Sequence, residues 1–195
     1  MVGSFDRDGS GEIDTASEVS AIDCDTCPPG GTGIWGSGPD DVFAVGYEGV
    51  WHFDGDTWSL WYEGMGMDGI FNDVWGSGPE DVYFAKWYGM LRFNGADWIS
   101  IPLEEDLYPD RADSVYLSFH SITGTSASDI YSLGMADLVE DDAEDEQLAI
   151  HFDGEHWTRI DIPDDPPLLD IWSASEDELF AVGSGGTIWH YQGAD

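Results

Sequence analysis

Residues 6–14 of the 195-residue sequence read DRDGSGEID, which sets Asp6, Asp8 and Ser10 at alternate positions ahead of Glu12 and Asp14. Hard oxygen donors spaced this way suit calcium, which takes about six to eight of them. Cys24 and Cys27 follow in CDTC. A zinc site needs about four ligands, and neither a second cysteine pair nor a nearby histidine supplies them. A redox CxxC wants a helix behind it, whereas Pro28, Pro29, Gly30 and Gly31 come next. A local disulfide between Cys24 and Cys27 in an exported linker is the preferred reading, and two free thiols are the alternative. The third candidate set is aromatic: Tyr47, Trp61, Tyr62, Trp87, Tyr88 and Tyr108. Exposed aromatic planes stack on sugar rings or anchor protein partners.

Composition narrows the chemistry. The chain carries 41 Asp plus Glu against five Lys plus Arg, a net charge of −36, and Lys86 is its single lysine. Such a surface repels phosphate backbones and anionic membranes, which excludes nucleic acid as a partner. A solvated surface is the simple account of the charge, and collection of divalent cations the sharper one. With 42% hydrophobic residues and ten tryptophans there is ample material for a core. No apolar run reaches the ~18 residues of a membrane helix, so no membrane insertion is expected. MVGSFDRDGSGEID has neither the basic start nor the apolar stretch of a signal peptide.

The elements that would position these residues come from an internal repeat. IWGSGPDDVFAVG starts at Ile34, VWGSGPEDVYFAK at Val74, ITGTSASDIYSLG at Ile122 and IWSASEDELFAVG at Ile171, so the starts are 40, 48 and 49 residues apart. Each is followed by a second block: GVWHFDGDTW, GMLRFNGADW, LAIHFDGEHW or TIWHYQGAD. In the first unit GIWGS and DVFAVG read as short apolar strands, the second β-branched, GVWHF as a third and DTWSLWY as a fourth with alternating large residues, separated by turns rich in Gly, Pro and Asp. Asp54-Gly55 predicts a type I′ hairpin turn, with Asn94-Gly95 and Asp153-Gly154 in the same place. Four short strands per period predict an all-β chain of β-propeller blades, three complete and a fourth lacking its last strand. The expected blades run about 33–62, 71–101, 119–161 and 169–195, after an acidic leader at 1–32. Further blades or a second chain are expected to complete the propeller, and the chain itself reads as a fragment.

The repeated pattern resembles the Trp-rich propeller repeats of secreted or surface bacterial proteins, which are distantly similar to sialidase-type Asp-box propellers. The resemblance covers residues 33–195 and implies an extracellular or cell-surface location. The leader resembles an EF-hand or dockerin-type calcium loop. That resemblance implies Asp6, Asp8 and Ser10 as ligands one, three and five, Gly11 as the sharp turn, Glu12 through its carbonyl, and Asp14 at position nine. Position twelve is Ser17, with Glu18 one residue late, so the bidentate carboxylate of the motif is displaced.

Residues that recur in every blade are expected to pack blades. Trp35, Trp75 and Trp172 coincide, as do Trp58, Trp98 and Trp157. His52, Arg92, His151 and His190 align opposite Asp41, Asp81, Asp129 and Glu178, which suggests a repeated ion pair. Turns after the first and third strand of each blade share one end, and they keep their type. Connections after the second and fourth strand share the other end and vary: 62–71, 102–119, 134–147 and 163–169. Function concentrates on such loops. The acidic run 140–146 reads as a solvated loop, with calcium collection the alternative.

No Ser-His-Asp order, phosphate loop or HExxH appears. The four arginines, Arg7, Arg92, Arg111 and Arg159, do not make the cluster a sialidase needs for its substrate carboxylate. The expected function is a non-enzymatic extracellular or cell-surface propeller that recognises a glycan or protein on its long-loop face. The alternatives are a portion of a glycan-processing enzyme and a structural calcium-dependent adhesin segment.

Overall fold

A computed structural model describes residues 31–110, 112–139, 145–163 and 165–192. The candidate calcium loop and the Cys24–Cys27 pair lie outside these residues. Four antiparallel sheets follow one another along the chain, in the arrangement of a β-propeller. The first contains β1 (Gly31–Gly38), β2 (Asp41–Gly46), β3 (Gly49–Phe53) and β4 (Trp58–Glu63). The second contains β5 (Phe71–Gly78), β6 (Asp81–Lys86), β7 (Met90–Phe93) and β8 (Trp98–Ile101). A short helix, α1 (Leu103–Leu107), leads to the third sheet, formed by β9 (Val115–Ser126), β10 (Asp129–Leu138), β11 (Glu146–Phe152) and β12 (Trp157–Ile160). The last has three described strands: β13 (Leu168–Ser175), β14 (Glu178–Gly183) and β15 (Ile188–Gln192).

Strands pair in sequence order within each sheet, and the first strands of successive sheets, β1, β5, β9 and β13, lie side by side along the axis. Gly31 and Thr32 belong to β1, inside the span expected for the leader. The third blade begins at Val115 instead of 119. Its insertions are largely an extended ladder, in which Val115 pairs with Leu138. The sequence pattern places variable connections at 102–119 and 134–147 in this blade. Val115, Leu117 and Phe119 alternate with Tyr116 and Ser118, so one face of the extension is buried and the ladder satisfies its backbone.

The core is three seams, one between each pair of neighbouring blades. In the first, Phe43, Val45 and Val50 of one blade meet Val74, Val82, Phe84 and Leu91 of the next. In the second, Tyr83, Ala85 and Met90 meet Phe119, Ile122, Ile130 and Ile150. Tyr131, Leu133 and Ala149 meet Leu168, Ile171, Leu179 and Ala181 in the third. Each seam also carries a knob and a socket. The Trp35 ring lies over Gly76, where a Cβ would come within 2.7 Å of it, and Trp75 lies over Gly124 at the same distance. Only glycine leaves room for the ring at these two places. In the third seam both members change together: Thr123 and Ser173 replace the pair and their hydroxyls meet at 3.2 Å.

The β3–β4 hairpin departs from its expected type. A type I′ turn needs positive φ at both central residues, yet among the described residues only glycines have positive φ, Gly55 among them at 94°. Four residues link Phe53 to Trp58, which sit directly opposite each other. The Asp54 carboxylate accepts the amides of Asp56 at 3.0 Å and Thr57 at 2.8 Å. Asn94 and Asp153 do the same in their blades. An Asx turn followed by one left-handed glycine therefore replaces the two-residue turn, because the side chain caps the backbone better than a strained Asp could.

Candidate functional site

The end of the propeller with short, constant turns is a polar scaffold. Asp41 accepts the Ser37 hydroxyl and lies 2.7 Å from His52 Nε2. Asp81 accepts from Ser77 at 2.5 Å and from Arg92 Nε at 2.7 Å. Asp129 accepts from Thr125 and lies 2.9 Å from His151 Nε2, and Glu178 lies 3.1 Å from His190 Nε2. The expected ion pair is thus intra-blade, and it ties the first turn to the third strand. Burial works to raise the Asp41 carboxyl, but the bonds from Ser37 and His52 outweigh it and hold it below its usual range. Burial pushes the Tyr83 phenol up to about 12, with Asp81 adding to the effect.

Near the axis, polar side chains stitch one blade to the next. Thr32 Oγ1 donates to the Phe71 carbonyl at 2.7 Å, Asn72 Nδ2 donates to that of Phe119 at 2.7 Å, and His120 Nε2 lies 3.3 Å from that of Leu168. Burial lowers the His120 imidazole, opposed by that carbonyl and by Asp170. One position further on, Asp73 accepts the amide of Ile122 at 2.9 Å. Burial raises this carboxyl against the pull of the Ile122 and Val74 amides, and Asp170 nearby raises it further.

The opposite end holds a cleft of about 580 Å³, open to solvent. Its walls come from the β4–β5 connection, the β6–β7 turn, the β8–α1 junction and the start of β9. Tyr62, Tyr88 and Tyr116 supply aromatic surface, Lys86 and Asp68 a charged pair, and Glu104 a further carboxylate. Lys86 ends β6, where its stem is drawn in over the Phe71 ring, with Nζ 5.6 Å from the centroid. Its Nζ donates to Asp68 Oδ1 at 2.8 Å. Lys86 is only 4% exposed. The pair fastens the 3-10 turn at Gly66–Gly69 to the second blade, and the Trp87 amide donates to the Ile70 carbonyl at 3.0 Å beside it. Tyr88 meets Tyr116 edge to face at 6.3 Å, and the Gly89 amide donates to the Leu117 carbonyl at 2.7 Å. Backbone and ion pair together make the cleft a preformed surface.

The aromatic residues singled out by sequence have separate fates. Tyr62 and Tyr88 line the cleft. Tyr47 and Trp87 are exposed on the β2–β3 and β6–β7 turns of the same end. Trp61 is partly exposed on outer strand β4, yet its ring lies 3.8 Å from that of His52, tilted by 30°, and it lies outside the cleft lining. Tyr108 is buried: its hydroxyl donates to Glu146 and the Arg159 guanidinium covers its ring at 5.0 Å. It holds the α1 segment onto the third blade and presents no plane to solvent. Lys86, Asp68, Glu104 and Tyr116 were missed. The signal available for Lys86 was its solitude among 41 acids, at the position where the first blade has Gly46. Among the described residues no group of three or more His, Cys, Asp and Glu side chains is placed to hold a metal ion, and no helix is long and apolar enough to cross a membrane.

No protein-family model and no curated protein sequence matches the chain. Among solved structures it is similar to the extracellular domain of the putative hybrid two-component system BT3049 from B. thetaiotaomicron, with a TM-score of 0.56 and 11% identity. That match covers 84% of this chain and 23% of the other, so the chain spans under a quarter of that protein's length. It is also similar to the computationally designed Ika4 protein, with a TM-score of 0.54, 9% identity, and coverage of 87% of this chain and 95% of that one. At such identity the likeness shows the fold, a β-propeller, and leaves the chemistry of the site to its own residues.

Proposed function

We propose that this propeller is a non-enzymatic binding module, at the cell surface or outside the cell, whose loop-face cleft recognises a neutral glycan. The observation that carries the reading is the cleft itself, where three tyrosines surround carboxylates and a buried ammonium. Aromatic faces take the apolar side of a sugar ring, and Asp68 and Glu104 accept its hydroxyls. The net charge of −36 opposes anionic sugars and phosphates alike. The same charge favours a second occupant, a basic protein segment held by the carboxylates with Tyr88 and Tyr116 as anchors. A glycan array run beside a panel of basic peptides separates the two. Retention of neutral glycans supports the first reading, retention of peptides alone supports the second, and retention of neither ends both.

A catalytic role within a larger glycan-processing enzyme is the competing proposal, and turnover of chromogenic glycosides by the parent chain would establish it. Calcium binding at Asp6, Asp8, Ser10, Glu12 and Asp14 is a separate proposal. Calorimetry with calcium should show a site that Asp6→Ala with Asp8→Ala removes, and a flat titration of the parent ends it.

A further inference from the structure

Tyr47 and Trp87 lie outside the cleft, on loop-face turns that need neither ring. Aligned on the repeat, the β2–β3, β6–β7 and β14–β15 turns read Tyr47-Glu48-Gly49, Trp87-Tyr88-Gly89 and Ser184-Gly185-Gly186. The last blade thus makes the same connection without an aromatic residue. Tyr47 is nevertheless 61% exposed and Trp87 47%, and neither ring pairs with another among the described residues. Rings recruited for packing behave differently at this end. Tyr62 meets Phe71 at 5.7 Å and Trp98 at 5.0 Å, and Tyr108 is buried.

The backbone sets the exposed rings in a row. The Gly64 amide donates to the Glu48 carbonyl at 3.0 Å, which joins the Tyr47 turn to the β4–β5 connection. That connection is joined to the Trp87 turn by the Trp87 amide on the Ile70 carbonyl at 3.0 Å, and this turn to the Tyr116 strand by the Gly89 amide on the Leu117 carbonyl at 2.7 Å. The connection also closes on itself, since a Cβ on Gly64 would come within 2.3 Å of the Gly69 Cα. Lys86 pins it through Asp68. Its tip displays Met65 at 83% exposure and Met67 at 53%. Tyr47, Met65, Met67, Trp87, Tyr88 and Tyr116 therefore follow one another from the first blade to the third, on segments held together by main-chain hydrogen bonds. Tyr88 and Tyr116 line the cleft, and the others carry its apolar surface on across two blades.

An apolar band on a chain of net charge −36 suits an occupant without negative charge. Resting on the glycan reading above, we propose that this occupant is an extended neutral polysaccharide chain, several sugars long, laid across the first three blades. One sugar sits in the cleft on Tyr88 and Tyr116, and the chain runs on over Trp87 and the two thioethers to Tyr47. Aromatic planes take successive sugar faces, and the flexible methionine side chains fill the irregular space between them. A sugar seated on each outer ring adds about three- to tenfold in affinity.

The test is calorimetry of the full chain with the disaccharide and the hexasaccharide of one series, whichever of the cello-, xylo-, manno-, galacto- and malto-oligosaccharides a glycan array retains best. The hexasaccharide should bind about thirtyfold tighter than the disaccharide. Trp87→Ser and Tyr47→Ser follow the turn of the last blade, where Ser184 stands. Each should weaken hexasaccharide binding about three- to tenfold and leave disaccharide binding unchanged. Tyr88→Ala should weaken both. A hexasaccharide advantage of about fivefold or less, the gain from extra registers on a short site, overturns the extended site and leaves the glycan reading standing. So does hexasaccharide binding that either serine variant leaves unchanged. If a serine variant fails to fold, the length dependence of the parent still decides. Retention of none of these series overturns the extended site, and retention of no neutral glycan at all ends the glycan reading with it.

Discussion

The two ends of the propeller are made from the same strands and obey different rules. At the constant end, Ser37, Asp41 and His52 recur as Ser77, Asp81 and Arg92 and as Thr125, Asp129 and His151, and each Asx turn is closed by the same two amides. At the loop end nothing recurs: a 3-10 turn, a helix and an extended ladder fill equivalent places. Repetition marks what a blade needs in order to fold against its neighbour, since every seam poses the same packing problem. Departure from repetition marks where that problem has been solved and the chain is free to build a surface. The cleft sits wholly at the departing end, yet it rests on Phe71 and Leu117, which belong to the seams.

Substitutions at the two ends should therefore separate stability from binding. The largest effect belongs to the seams: Phe84→Ala empties a fully buried site against Phe43, Phe71 and Trp98. It should cost about 3–5 kcal/mol in urea unfolding. Next, the repeated pair should be worth what its burial dictates. Asp129→Ala removes a carboxylate whose side chain is 5% exposed and should cost about 3 kcal/mol. Glu178→Ala, at 39% exposure, should cost under about 1 kcal/mol by the same assay. Equal losses would mean that the pair acts through something other than solvent exclusion.

A smaller effect depends on pH. His120 is held neutral by burial, so its folded pKa lies below the ordinary value of 6.5. Its contribution is fully present above 6.5 and is lost as pH falls through that value toward the folded pKa, because the unfolded chain takes up the proton first. The stability gap between the parent and His120→Gln should accordingly narrow on acidification below pH 6.5, in unfolding curves taken across that window. The smallest effect on folding comes from the loop end. Tyr88→Ala, in a partly exposed ring, should change stability by no more than about 0.5 kcal/mol.

The four-strand unit, its strand order and the variable face could all be read from the repeat, because Asp41 and His52 have counterparts in the same order in each later copy, at Asp81 and Arg92, Asp129 and His151, and Glu178 and His190. Loop conformation could not. The hairpins carry Asp-Gly, the usual mark of a tight turn, but the Asp54 carboxylate reaches two amides and lengthens the turn to four residues. Tyr108 looks like a loop aromatic in sequence, yet Leu103 and Leu107 on α1 bury that segment and take the ring with them. Tyr116 lies in what reads as a polar insertion, and only the pairing of Val115 with Leu138 turns it toward Tyr88. Sites assembled from insertions in neighbouring blades have no sequence period to betray them. Lys86 and Asp68, 18 residues apart, meet only because the blade brings the end of β6 under the β4–β5 connection.

The most direct test of a binding end set on a packing end is calorimetric titration of the strongest-retained neutral glycan into the parent chain and into Tyr88→Ala. The account predicts a roughly tenfold loss of affinity in the variant, about 1.4 kcal/mol, with an unchanged unfolding midpoint. Equal affinities for the two proteins would contradict it.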